Sequence, residues 1–190
     1  MISAILLSAG LSRRFKAGNK LIYKFDRKEI LLYSLRNILK SKVAEIVIVT
    51  GKDHNKIKKI LPKNKKIKVI NNIKYKLGLS SSIKTGIKKI NLSTKGFFIC
   101  LGDMPFFSNK SYNKMIEHFN KSSKYPLVPF FKNQMRNPVI FPIHFIKKLK
   151  NITGDRGAKK IIIKNKFNKI IFFRSKIFSD IDTIDDIKNF

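Results

Sequence analysis

Apolar runs of strand length alternate with stretches of helical period through the first half of this chain, which restricts the fold more than any other feature. Ile2 to Leu7 is continuously apolar and closes on Ser8-Ala9-Gly10, the pattern of a strand buried on both faces. From Ile30 to Leu39 the residues Ile30, Leu31, Leu35, Ile38 and Leu39 fit one helix face. Glu45 to Thr50 is a second, β-branched strand closed by Gly51, and a lysine-rich helical stretch from His54 to Leu61 stops at Pro62. Ile67 to Ile70 is a third strand, Ser81 to Ile90 a third helix and Gly96 to Leu101 a fourth strand. Repeated β-α-β units favour a mostly parallel sheet with helices on both faces.

The second half changes order. Lys110 to Phe119 has helical period, and Leu127 to Phe131 and Pro138 to Phe141 are two short strands in succession, which predicts a mixed edge. Ile143 to Leu149 and Gly157 to Ile163 are helical, and Lys169 to Phe173 is the last strand. With no internal repeat and no Gly/Ser linker, the 190 residues are expected to form one domain.

The formal charge of +31, from 42 basic and 11 acidic residues, invites a nucleic-acid reading. Its make-up argues against that. Lysines number 35 and arginines only 7, whereas the planar fork of Arg is the usual reader of phosphates and base edges. Lys, Ile, Asn and Phe, all encoded by A/T-rich codons, make up 97 of the 190 residues, so a low-GC composition spreading Lys over a solvated surface is favoured. A basic nucleic-acid-binding protein stays as the alternative of another class. No apolar run approaches the ~20 residues of a membrane span. The opening residues lack the basic start of a signal peptide, so the expectation is a cytoplasmic protein. Cys100 is the single cysteine, which excludes a disulfide within the chain and a multi-cysteine zinc site.

In a parallel sheet the ligand crevice lies beyond the carboxyl ends of the strands. The first strand is followed there by Leu7-Ser8-Ala9-Gly10-Leu11-Ser12-Arg13-Arg14-Phe15 and then Asn19-Lys20-Leu21. Leu7, Ser8, Ala9, Gly10 and Ser12 suit a loop whose backbone N–H groups close on an anion, and Arg14 and Lys20 add positive charge. Neither of the well-known phosphate-binding glycine loops matches. The fourth strand runs into Gly102-Asp103-Met104-Pro105, which places a scarce carboxylate where a divalent cation could be held. Asp103 as cap of the next helix is the competing reading, although Ser108 suits that role better. After the third strand, Gly78 with Ser80, Ser81 and Ser82 offers either ligand donors or an ordinary helix start. Four of the eight aspartates lie between 180 and 186, with Asp182 the best candidate for a second metal contact and Asp180 next. Asp155 and Arg156 fit either an acceptor contact or a cap on the helix that follows.

These segments, in this order, resemble the nucleotidyltransferases that build the dinucleotide form of the molybdenum cofactor. The similarity is carried by the loop at 7–15 with Lys20-Leu21, Leu77-Gly78-Leu79-Ser80-Ser81-Ser82-Ile83, Leu101-Gly102-Asp103-Met104-Pro105, Asn137-Pro138-Val139-Ile140-Phe141-Pro142, Gly154-Asp155-Arg156-Gly157-Ala158 and the tail at 180–187. The resemblance implies a three-layer α/β, nucleotide-diphospho-sugar transferase-like Rossmann-type fold. It also implies Mg²⁺ on Asp103 and Asp182, a nucleotide held by the loop at 7–14, Lys20 and the segment at 78–82, and an acceptor held by Asn137, Pro138, Asp155 and Asp180. Arg14, Lys20 and Asp103 become the catalytic set. Ser8-Ala9-Gly10 is more similar to the cytidylyl-transferring members, so CTP and molybdopterin are the expected substrates. A protein that supplies molybdopterin, or a molybdoenzyme that takes the product, is an implied partner. GTP as donor, or a sugar or polyol phosphate as acceptor, is the close alternative. Lys16 departs from the family's usual Gly, and Asn137 from its usual His or Gly.

Overall fold

The computed structural model describes residues 1–155 and 158–188. It opens with β1 (Ile2–Ser8), a small hairpin of β2 (Lys24–Phe25) and β3 (Lys28–Glu29), α1 (Ile30–Leu39) and β4 (Glu45–Thr50). Next come α2 (His54–Ile60), β5 (Ile67–Asn71), α3 (Leu79–Ile87) and β6 (Gly96–Leu101). The second half runs α4 (Asn109–Lys121), β7 (Leu127–Phe131), β8 (Gln134–Met135), β9 (Val139–Pro142), α5 (Ile146–Leu149), α6 (Lys159–Ile163), β10 (Asn168–Ile171) and α7 (Ile184–Lys188).

Every residue of β1 is buried because the strand lies between two parallel neighbours, with Ile5 opposite Val47 of β4 and Ile99 of β6. The sheet order is β10-β7-β9-β6-β1-β4-β5, with β8 added on β7. β9 runs antiparallel to both β6 and β7, while β10 pairs parallel with β7. This is the mostly parallel sheet with a mixed edge that the strand-strand passage predicts. Period-two alternation divides its side chains between two cores. Leu6, Ile48 and Phe98 face α1 and α4 with Leu35, Phe107 and Phe119. Ile5, Val47 and Phe97 face the other way, toward Ile83 of α3 and Leu149 of α5.

Two features depart from the sequence pattern for identifiable reasons. Both short hairpins turn on two residues with positive φ, Asp26-Arg27 (46° and 64°) and Lys132-Asn133 (45° and 59°). Neither turn contains the glycine that normally advertises such a bend. Helix α3 begins at Leu79 rather than Ser81 because Gly78, at φ 89°, turns the chain directly into it, and it ends at Ile87 although Ile90 remains buried. Among the described residues no helix is long and apolar enough to cross a membrane.

Cys100 sits in the middle of β6 and is fully buried, with Tyr112 of α4 beside it. Burial pushes its thiol up to about 12, and the thiolate is the reactive form. The folded protein is therefore expected to leave a chromogenic disulfide reagent unreacted at pH 8, with one thiol appearing on unfolding in guanidinium. Rapid native-state reaction would contradict the burial.

Candidate active site

The carboxyl ends of β1, β4 and β6 bring residues 9–15, 51–53 and 102–104 to one edge of the sheet. The loop after β1 is held at two points. Phe15 is buried with Ile30 and Ile181 and meets Tyr23 edge-on at 5.1 Å. Farther on, the Asn19 side chain accepts from the Leu21 N–H at 3.0 Å and donates to Asp53 at 2.9 Å. Gly18 and Ser12 take positive φ in this loop, at 100° and 50°, and Lys16 is not among the positive-φ residues. Ahead of these anchors, Ala9, Gly10, Ser12, Arg13 and Arg14 line a crevice of about 380 Å³.

At the floor of the crevice, Lys20 sits between two carboxylates. Its Nζ is 2.5 Å from Asp103 and 2.7 Å from Asp182, and Arg14 reaches the other oxygen of Asp182 at 2.6 Å. Burial lowers the Lys20 pKa, and the facing charges of Asp103 and Asp182 more than offset this, leaving it raised above 10.5. The Asp103 turn is fastened on all sides. Gly102 donates to Leu7 at 3.0 Å, Ser34 donates to the Gly102 carbonyl at 2.9 Å and Asn37 to that of Pro105 at 2.8 Å. The Asp103 carbonyl accepts from Ile181 at 3.0 Å, which brings the tail to the site. Helix α4 is capped by Ser108, which accepts from the Ser111 N–H at 3.2 Å, so Asp103 is free of the capping role. Asp103 Oδ1 is buried with no hydrogen-bond partner. An orphaned carboxylate oxygen beside a second carboxylate is an all-oxygen donor pair that suits a hard divalent cation.

The opposite wall comes from the turn before α3. Gly78 and Ser82 face the crevice with Tyr75, Lys76 and Leu79. Ser80 and Ser81 do not. Ser81 donates within its own turn, to Lys74 and Gly78 carbonyls at 2.8 and 2.9 Å, and Ser80 is buried with its N–H on the Gly154 carbonyl. Buried Asn72 organises this turn by donating to Ser81 and Ser82. Asp155 caps α3 through the Leu79 N–H at 3.1 Å, instead of the helix that follows it in sequence, and Gly78 makes room for its carboxylate.

Other expected contacts lie off the crevice. Ser8 turns under Gly102, where its hydroxyl is buried without a partner, so it is a packing residue rather than part of the lining. Asp180 sits beside the charged cluster rather than on the wall. Burial and the neighbouring negative charges of Asp103 and Asp182 raise its pKa, with partial relief from Lys20. Asn137 lines a separate cavity and Pro138 is buried, while Asp155 borders both cavities. Arg156 lies outside the described residues. Tyr75 and Asn72 carry no motif of their own. The available signal was an aromatic residue and an amide placed directly after a strand's carboxyl end.

Residues 4–169 match the MobA-like NTP transferase domain. The chain belongs to that family. A Thermococcus sibiricus relative named "Probable molybdenum cofactor guanylyltransferase" is 32% identical over 136 residues, covering 71% of this chain and 65% of the relative. The chain thus spans just under two thirds of that relative. The Escherichia coli "Molybdenum cofactor cytidylyltransferase" is 27% identical over 188 residues, covering 97% and 93%. Among solved structures, Rv0371c of Mycobacterium tuberculosis superposes with a TM-score of 0.85 at 16% identity, covering 100% of this chain and 97% of that one. That protein is also known in complex with manganese, with a TM-score of 0.81 at 16% identity over 99% and 96% of the two chains. At such identity these structures speak for the nucleotidyltransferase fold alone, which is the three-layer α/β architecture expected from the sequence.

Two measurements test the geometry. Gly78 has φ 89° and ψ −177°, a region that is almost glycine-only. Gly78→Ala is expected to cost about 1–3 kcal/mol in chemical denaturation from that backbone strain, with further loss from the displaced Asp155 cap. The ion cluster supplies a pH signature. Because the Lys20 pKa is raised on folding, its contribution is fully present below pH 10.5 and is lost as pH rises through the folded value. The stability gap between wild type and Lys20→Met should be flat from pH 7 to 10 and close above 10.5. A gap that closed well below pH 10.5 would contradict the pairing.

Proposed function

We propose that this chain transfers a nucleoside monophosphate from a nucleoside triphosphate, with CTP as donor, to the terminal phosphate of molybdopterin and releases pyrophosphate. The observation that carries this reading is the Lys20, Asp103, Asp182 and Arg14 cluster on the floor of a crevice walled by a small-residue loop. Cations and carboxylates in alternation at the end of a parallel sheet suit a polyphosphate and its metal better than an uncharged ligand. Family membership and the names of the relatives support the same chemistry.

In this reading the acceptor phosphate attacks the α-phosphorus in line. A P–O bond forms to the acceptor oxygen, the α–β phosphoanhydride bond breaks, and its electron pair leaves with pyrophosphate. The attacking oxygen is already ionised at neutral pH, so the site needs no general base. Asp103 and Asp182 are the residues that would hold Mg²⁺. When bound, that ion supplies charge neutralisation and orientation of phosphate oxygens. Lys20 and Arg14 offset the charge that grows on departing pyrophosphate, and backbone N–H groups of the loop at 9–14 seat the triphosphate. Tyr75 offers a ring face, and Gly78 and Ser82 offer backbone and hydroxyl groups, to the base and ribose. Positioning and electrostatics supply the catalysis, as in other phosphoryl transfers.

Among relatives that align along nearly the whole chain, the Escherichia coli one is named a cytidylyltransferase and two from Methanosarcina are named guanylyltransferases, and the resemblance of Ser8-Ala9-Gly10 favours the former. GTP is the second reading, favoured by the name of the more identical Thermococcus relative. Pyrophosphate release with each of CTP, GTP, UTP and ATP, with Mg²⁺ and molybdopterin, separates the two. Turnover with CTP and loss of about 10²–10³-fold in Asp103→Asn and Lys20→Ala are expected. Undiminished turnover in Asp103→Asn would sink the metal role, and a GTP preference would replace the donor.

A further inference from the structure

Asp53 stands immediately before α2, and its carbonyl accepts from the Ile57 N–H at 2.9 Å. At such a position an aspartate side chain ordinarily accepts from the free N–H groups of the first helical turn. Here it makes no such bond. It turns instead to the loop after β1, 34 residues earlier, where its Oδ2 accepts from the Asn19 side-chain amide at 2.9 Å. The carboxylate is only 17% exposed, and its other oxygen has the exposed Lys56 ammonium 3.9 Å away. Giving up a cap costs helix stability. One of the 11 acids of the chain is thus diverted from its local role to a distant one.

An ionised carboxylate can only accept, so it fixes which end of the Asn19 amide faces it. The NH2 goes to Asp53, and the carbonyl is left for the loop. That carbonyl accepts from the Leu21 N–H at 3.0 Å and so caps the short 3-10 turn Lys20–Ile22. The Ser12 hydroxyl donates to it at 3.4 Å and accepts from the Lys20 N–H at 3.3 Å. Through one amide, Asp53 therefore fastens Ser12, at its positive φ of 50°, and Lys20, whose Nζ reaches Asp103 and Asp182. Arg14 lies on the stretch between them. Ser12, Arg14 and Lys20 line the crevice, and Asp53 is not on its wall. We infer that Asp53 is a positioning residue, which through Asn19 holds Lys20 and the loop at 12–14 in the geometry that receives a triphosphate. The identity of that ligand rests on the proposed function; the fastening of the loop rests on the hydrogen bonds alone.

The test is hydrogen exchange in the full-length protein for wild type, Asp53→Ala, Asp53→Asn, Asn19→Asp and the double variant Asn19→Asp/Asp53→Asn. Affinity for CTP and GTP, and pyrophosphate release with molybdopterin, are measured on each. Asp53→Ala should exchange about tenfold faster at residues 12–22 and no faster in α2. An ordinary helix cap predicts the reverse, and a loosened α2 beside an unchanged loop overturns the assignment. The triphosphate should bind Asp53→Ala about tenfold more weakly, and turnover should fall about 10–10²-fold with the molybdopterin KM at its wild-type value. Asp53→Asn keeps an acceptor and should stay close to wild type. Asn19→Asp sets two carboxylates against each other and should lose as much as Asp53→Ala. The double variant exchanges donor and acceptor and should recover most of that loss. A double variant no better than Asn19→Asp overturns the assignment, as does an Asp53→Asn as impaired as Asp53→Ala, or a wild type that binds neither triphosphate. Proteins that bind a triphosphate in the expected pattern but release no pyrophosphate with molybdopterin remove the proposed function and leave the role of Asp53 standing.

Discussion

Lys20 is held between Asp103 and Asp182, and much of the site's architecture hangs on that contact. The three residues come from the loop after the first strand, the end of the sixth and the C-terminal tail, with 162 residues separating Lys20 from Asp182. An ammonium only 12% exposed is costly unless its charge is answered nearby, and two carboxylates this close repel unless a cation lies between them. Each group thus makes the others tolerable. The Ile181 N–H on the Asp103 carbonyl and the burial of Ile181 against Phe15 and Ile30 tie the same three segments through backbone and apolar contacts.

Around that cluster, small residues are placed where backbones must approach. A side chain at Gly102 would crowd Leu31, the Leu7 carbonyl and Ser8, so the carboxylate after β6 can sit flush with the end of β1 only because the position is glycine. Ser8 is small for the complementary reason. Ser8 therefore shapes the floor of the crevice from behind, while Ala9, Gly10, Ser12, Arg14, Lys20 and Gly102 form its surface.

The distribution of charge matters more than its total. Most of the 35 lysines need no partner beyond water, and their screened field acts at most on encounter rates. The scarce acids are concentrated. Asp103, Asp180 and Asp182 share one cluster, and Asp186 braces the tail by accepting from the Asp182 and Thr183 N–H groups at 2.9 and 2.7 Å. Clustered acid in so basic a chain marks the charged end of the site.

Strand and helix order, the parallel half of the sheet and the loops at its carboxyl edge were legible in the sequence by itself. Continuous apolar runs, helical periods and turn residues are local properties, and β4 and β6 and helix α1 begin and end where those patterns do. Asp103 stood out for the same reason, as a carboxylate directly after a buried strand. Tertiary structure decided which side chains face the crevice. Ser8, Ser80 and Ser81 look equivalent to Ser12 and Ser82 in a string of small residues, yet they are buried off the crevice, Ser81 bonded to carbonyls of its own turn and Ser8 packed under Gly102. Asp155 caps a helix 76 residues earlier in the chain, and Tyr75 reaches the crevice through a turn that carries no motif. Such roles depend on which distant groups a side chain meets, and local patterning of the sequence holds no record of that.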